Sequence, residues 1–353
     1  MLARDNELEI LHTDIECLEV GADLIASGSH NKARTAIIVL HHLIETLLHR
    51  ECQEILGRDR LMRWVIEPRI ILSERNRVER SFADKVFLVR DKTTHLAPVD
   101  EAVLLIGHSY RNAIHHRDTH NVQAAQLLAK LLLRTTLRVF MRSGSETSMG
   151  GFATTDIQWV AKYLPLSRGF IELRQLRRNE VRRIAPLASV SFPESRDTLA
   201  RDIASRIQGL TGTLEVFFGP EWNSYLDDLL KHVEFQIKNE KQYDDISKIF
   251  REATYRIQSK HPPTREEYME AESCYKANLK MALDSFRPTH TISRILSLDR
   301  LAESISCTSN LRGLVLAYQK ADVITQEAEF YIGEAHAIVE DQCQRAIDHA
   351  RGK

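Results

Sequence analysis

Apolar side chains return every three to four positions along most of this chain, the spacing of helices that bury one face. Leu8, Leu11, Ile15, Leu18 and Gly21-Ala22 trace one such stripe and predict a first helix over about 5–26, closed by Ser27-Gly28-Ser29. The next stripe is the most apolar of the chain. Ala33, Ile37, Leu40, Ile44, Leu47 and Leu48 predict a central helix over 30–56, with Gly57 as the residue beyond its end. A shorter helix over 75–89, a loop over 90–98, a helix from about Val99 to His116 and an apolar helix over 124–142 follow, with Thr119 or Asn121 placed to cap the last. Runs of β-branched residues are short and poorly bounded by turn residues, so the pattern predicts an all-α protein.

The stretch SGSETSMGGFATT over 143–155 interrupts this periodicity with the composition of a linker. It divides the chain into an expected helical bundle over 1–145 and a second helical region over 146–353 whose pattern names no role. In that second region Pro186 and Pro193 bound a loop, and Pro220 precedes a helix from Glu221. Thr264 and Glu267 have the spacing of a capping box for a helix reaching Phe286. Residues 310–350 keep helical periodicity throughout, as one long helix or as a hairpin. No period of about 20–50 residues recurs, which argues against a solenoid.

Composition removes several function classes. The 48 Lys and Arg nearly cancel the 49 Asp and Glu, so overall charge argues for no partner and a nucleic-acid site would have to come from local clustering. Cys17, Cys52, Cys274, Cys307 and Cys343 are scattered without any Cys-x-x-Cys spacing; a disulfide framework and a structural zinc site are not expected, and a reducing compartment is. The start MLARDNELEILHTDIE is acidic where a signal peptide would be apolar, and no run nears the ~20 apolar residues of a membrane span. The expectation is a cytoplasmic protein that binds no membrane.

One stretch is arranged for chemistry, LLIGHSYRNAIHHRDTH over 104–120. Of the three Arg-Asn pairs, at 75–76, 111–112 and 178–179, only the middle one has a histidine five residues after its arginine. At helical pitch Asn112 and His116 share a face. Cations at a helix C-terminus are favoured by about 0.3–1 kcal/mol each, and Asp100 and Glu101 at the start with Arg111, His115, His116 and Arg117 at the end fit that electrostatic account. The same residue types also suit RNA cleavage. RNA carries its own nucleophile, the 2′-hydroxyl, so the reaction needs no metal. A histidine titrating near neutral pH moves the proton, and an arginine forks two donors onto the charge that grows on phosphate. His116 and Arg111 would take those roles, Asn112 would orient His116 or bind phosphate, and the products would be a 2′,3′-cyclic phosphate and a 5′-hydroxyl.

Residues 30–130 resemble the HEPN superfamily, the higher-eukaryote and prokaryote nucleotide-binding helical bundles. The family's mark is an arginine, a polar residue and, after a short gap, a histidine at the end of an apolar helix. Arg111-Asn112-Ala113-Ile114-His115-His116 matches it, and Glu45 in HHLIETLLHRE is similar to the acidic residue common in an upstream helix. Asp118 stands where the nucleotidyltransferase-coupled branch carries tyrosine. The resemblance implies a HEPN-like bundle and a metal-independent endoribonuclease of the toxin or antiviral-defence kind, with Arg111, Asn112 and His116 catalytic and Glu45, His42 and His115 supporting. It further implies a homodimer in which two motifs meet in a composite cleft, because one copy supplies one acid–base group where in-line cleavage uses two. An antitoxin or sensor protein would be a further partner. The alternative within the same resemblance is a module that binds RNA or a nucleotide without cutting it.

Two other groups bear on the site. His41, His42, Glu45 and His49 have helical metal-site spacing, or form a polar patch touching the motif helix; neither a metal nor another cofactor is expected. Arg168, Arg174, Arg177, Arg178, Arg182 and Arg183 make a basic segment that is either a solvated face or, with Arg117, an RNA contact through Arg174, Arg177 and Arg178.

Overall fold

The computed structural model describes residues 2–62, 70–114, 122–143, 173–218, 223–259, 264–288, 295 and 297–351. Among them are thirteen α-helices, one short 3-10 turn and no strand, so the fold is all-α. Contact density separates two units, Met1–Asp202 with Ser304–Lys320, and Ile203–Glu303 with Ala321–Lys353.

The first unit is built around α2 (His30–Met62), which packs on α1 (Leu2–Ala26), α4 (Phe82–Lys92), α5 (Pro98–Ile114) and α6 (Val122–Arg142). Its apolar stripe is buried as the spacing predicts: Ile37, Leu40, Ile44 and Leu48 are closed to solvent. Gly28 ends α1 with φ of 69°, a left-handed turn that glycine adopts without strain. Gly21 lets α1 approach α2, since a Cβ there would lie 2.7 Å from Leu40. On the other side Gly107 brings α5 onto α6, its Cβ position 3.2 Å from Leu132.

Three expectations are corrected in this unit. First, α2 does not stop before Gly57 but runs on to Met62, because Ile55 and Leu56 are still buried and Arg75 binds the Asp59 carboxylate one turn later. Second, the helix expected over 75–89 is two, α3 (Leu72–Arg80) and α4. Ser81 between them is extended, and its hydroxyl accepts from the Asp84 amide, capping α4 where α3 ends. Third, the unit exceeds the bundle expected over 1–145. Helix α7 (Leu173–Ile184) lays Leu173, Leu176 and Ile184 against α1 and α6, and the 3-10 turn Ala185–Ala188 continues along α6. The linker expected from 143 lies, after Ser143, outside the described residues up to 172, as do the possible caps Thr119 and Asn121. The first of the three points where the chain passes between units falls inside α8 (Phe192–Phe218), whose Asp202 accepts a hydrogen bond from Tyr318 Oη at 2.7 Å.

The second unit contains α9 (Asn223–Lys238), α10 (Glu240–Gln258) and α11 (Arg265–Ser285), which pack on one another. The capping box is present: Thr264 Oγ1 accepts from the Glu267 amide, and Glu267 returns a carboxylate to the Thr264 amide. Phe235 meets Phe286 edge-on at 5.6 Å. After α12 (Asp299–Ser306), residues 310–350 resolve as one helix, α13 (Leu311–Ala350), not a hairpin. No helix among the described residues is long and apolar enough to cross a membrane.

Candidate functional site

An imidazole sits in the stripe of α2 where the pattern otherwise calls for an aliphatic side chain. His41 follows Ile37 by four positions and precedes Ile44 by three, so α2 turns it into the core, and it is 0% exposed. Helix α5 presents His108 to it: His108 Nδ1 and His41 Nε2 are 3.0 Å apart. Phe82, the first residue of α4, stacks on His108 at 4.7 Å and 11° and tilts against His41 at 4.6 Å. One turn further along α5 the Asn112 amide nitrogen lies 3.3 Å from His108 Nε2. The result is a hydrogen-bonded row, His41 to His108 to Asn112, that runs from the core to the surface.

The electrostatics make this row neutral. Burial, reinforced by His108 and Arg111, pulls His41 down to a pKa of about 3, and burial with the Arg111 charge pulls His108 below the ordinary histidine range. Buried imidazoles of this kind hold position rather than exchange protons near neutral pH. His41 Nδ1 has no hydrogen-bond partner among the described residues, which fixes the inner end of the row as its least satisfied point.

Glu45 stands one turn after His41 on α2. Burial opposes its charge, but the hydrogen bond and charge of the buried Lys85, aided by His41 and Arg111, hold its carboxyl below the usual range. The Lys85–Glu45 distance is 3.1 Å. Glu45 of α2 and Arg111 of α5 are thus brought within electrostatic reach of each other. Arg111 itself is half-exposed, and no hydrogen bond or ion pair holds its guanidinium among the described residues. Asn112 beside it is exposed.

Several sequence-derived candidates are relocated. His42 is exposed and its carbonyl accepts from the Thr46 hydroxyl, while His41 beside it is the histidine that α2 turns into the core. Among the described residues no three ligating side chains converge at His41, His42, Glu45 and His49; His41 touches the motif helix, whereas His42 and His49 are exposed. His115, His116 and Arg117 lie outside the described residues. The basic segment is not one face. Arg174 is exposed and Arg178 half-exposed, but the Arg177 guanidinium lies over the Phe140 ring at 5.7 Å with Nε buried and unpartnered among the described residues. Burial lowers the Arg177 pKa, with Asp14 opposing and Arg50 reinforcing that shift. Arg183 is held by Glu180 and Glu19.

His108, Phe82 and Lys85 were not singled out by spacing. His108 was within reach of such an argument, lying one turn before Asn112 on the same face; Phe82 and Lys85 come from α4 and join the site only through tertiary packing. Cys52 offers no alternative nucleophile, since burial pushes its thiol up to about 12 and it donates to the Lys85 carbonyl. Compared with known protein families, with curated proteins and with solved structures, the chain matches none.

Proposed function

We propose that this chain is a metal-independent endoribonuclease that cuts RNA by attack of the 2′-hydroxyl, leaving 2′,3′-cyclic phosphate and 5′-hydroxyl ends. The observation that carries this reading is Arg111: a guanidinium at the end of α5, beside exposed Asn112, uncommitted to any partner among the described residues and backed by Glu45 and a neutral histidine pair. A cation left unneutralised by its own fold is what a phosphodiester passing through a dianionic phosphorane requires.

In the proposed reaction Arg111 directs two N–H donors to the phosphoryl oxygens. His116 takes the proton of the 2′-hydroxyl or delivers one to the departing 5′-oxygen. Asn112, steadied by His108, holds the phosphate or the ring of His116. Glu45 tempers the local positive charge and, tied to Lys85, does not itself neutralise Arg111. Two copies in a homodimer would supply both the base and the acid. An effector of the toxin or defence kind, restrained by an antitoxin or sensor protein, is the biological setting that goes with this chemistry.

The test is incubation of the purified protein with structured and unstructured RNA in excess EDTA, beside Arg111→Ala and His116→Ala. Cutting by the wild type, lost in both variants at unchanged folding, supports the proposal. Cutting that survives both substitutions, or that stops with EDTA, contradicts it. RNA bound but left intact by the wild type would favour the non-cutting module.

A further inference from the structure

The opposite end of the α5–α6 pair carries a second cluster of cations. Arg134, Arg138 and Arg142 follow one another at single-turn intervals on one face of α6, and like charges so spaced destabilise a helix unless something answers them. All three line a cleft of about 450 Å³ whose remaining wall, apart from Ser189, is aliphatic, including Leu137 and Met141 of α6 and Val181 of α7. That volume falls in the range of about 300–1,000 Å³ typical of small-molecule sites.

The internal answer to these charges is one carboxylate. Asp100, 1% exposed, pairs with Arg138, whose Nη2 also donates to Thr135 Oγ1 at 3.4 Å. Arg138 Nε remains buried and unpartnered among the described residues. Arg142 is anchored through Nη1 to the carbonyls of Thr94 and His95, at 3.2 and 2.8 Å, which fixes its position without cancelling its charge. Arg134 is exposed and has no acidic partner among the described residues. Burial lowers the Arg138 pKa; Asp100 opposes this, while Arg134 and Arg142 reinforce it. Three guanidiniums against one carboxylate leave two positive charges beside an aliphatic wall, and no carboxylate lines the cleft.

We propose that this cleft binds a small phosphate monoester with an apolar body, its dianionic head on Arg134, Arg138 and Arg142 and its body against Leu137, Met141 and Val181. The head matches the uncompensated charge, and guanidinium forks suit phosphate oxygens. The site is separate from the RNA-cutting site proposed above: Asp100 and Arg111 are eleven residues apart on α5, roughly 16 Å along the helix axis. A ligand here would therefore bind apart from that site and not as its substrate.

Calorimetric titration of the full chain with AMP, octyl phosphate and inorganic phosphate tests this. Saturable binding of at least one ester, tighter than inorganic phosphate, is expected. Binding should weaken about tenfold or more in Arg134→Ala, which loses a charged donor without losing an internal partner. It should vanish in Ala185→Glu, which places a carboxylate at an exposed position of the cleft wall. It should be unchanged in Arg111→Ala. AMP alone binding would identify a nucleotide ligand, octyl phosphate alone a lipid-like one, and both together the shared chemistry. No binding by either ester overturns the proposal. So does equal binding in Arg134→Ala and Ala185→Glu, or binding lost in Arg111→Ala instead.

Discussion

Arg111 in the first unit and Arg206 in the second are both set beside carboxylates near a buried helix face, and they end in opposite states. Arg206, 10% exposed, gives Nε and Nη2 to the two oxygens of Glu329 at 2.9 and 3.2 Å and Nη1 to Asp322 at 2.7 Å. Its charge is spent inside the fold. Arg111 has Glu45 nearby, but Lys85 takes that carboxylate, and the guanidinium stays open to solvent with no partner among the described residues. A clustered arginine is therefore not in itself a sign of a site. What distinguishes the two is whether the neighbouring acids have been claimed by another cation.

This contrast can be broken by experiment, and the largest expected effect is on the committed arginine. Arg206→Ala leaves Asp322 and Glu329 without their cation and should cost about 3–5 kcal/mol of unfolding free energy in a denaturant titration, while RNA cleavage per folded molecule is unchanged. Arg111→Ala should do the reverse: a fall of about 10²–10³ in initial cleavage rate, with the denaturant midpoint preserved. If Arg111→Ala instead unfolds the protein, the guanidinium is a structural group like Arg206.

The histidine row gives a pH-dependent test of intermediate size. His41 titrates near 3 in the folded chain, against an unfolded value of about 6.5. Between those values the unfolded chain binds the extra proton, so the contribution of His41 is fully present above about pH 6.5 and is lost as pH falls toward 3, at up to roughly 1.4 kcal/mol per pH unit. Denaturant curves at about pH 7 and pH 5 should therefore separate more for the wild type than for His41→Leu. Equal separation would mean that the imidazole is not held neutral. The smallest effect is expected at the committed polar pair that caps α11, where Thr264→Ala should cost about 1 kcal/mol and leave activity alone.

Much of this could be read from the chain, and the misses have particular causes. The burial of Ile37, Leu40, Ile44 and Leu48 follows from spacing, and the capping box at Thr264 follows from chemistry that needs only four residues. The same local signal was present at Ser81, three residues before Asp84, and marks the break between α3 and α4. The burial of His41 rather than His42 was also within reach, since only His41 is in phase with Ile37 and Ile44. Gly57 misled because an isolated glycine is tolerated in a helix whose flanking residues are buried. The division into units, the turn of Arg177 onto Phe140 and the arrival of Phe82 and Lys85 from α4 depend on contacts between separate helices, which periodicity along one helix does not encode.

The central claim is that the α5 end cuts RNA with the substrate's own 2′-hydroxyl. The most direct measurement follows a single-site RNA oligonucleotide in EDTA beside its twin carrying 2′-deoxy at the scissile nucleotide, with product ends read by mass spectrometry. The account predicts cleavage of the first to a 2′,3′-cyclic phosphate and 5′-hydroxyl, and an intact second. Cleavage of the 2′-deoxy twin, or a 5′-phosphate product, would contradict it.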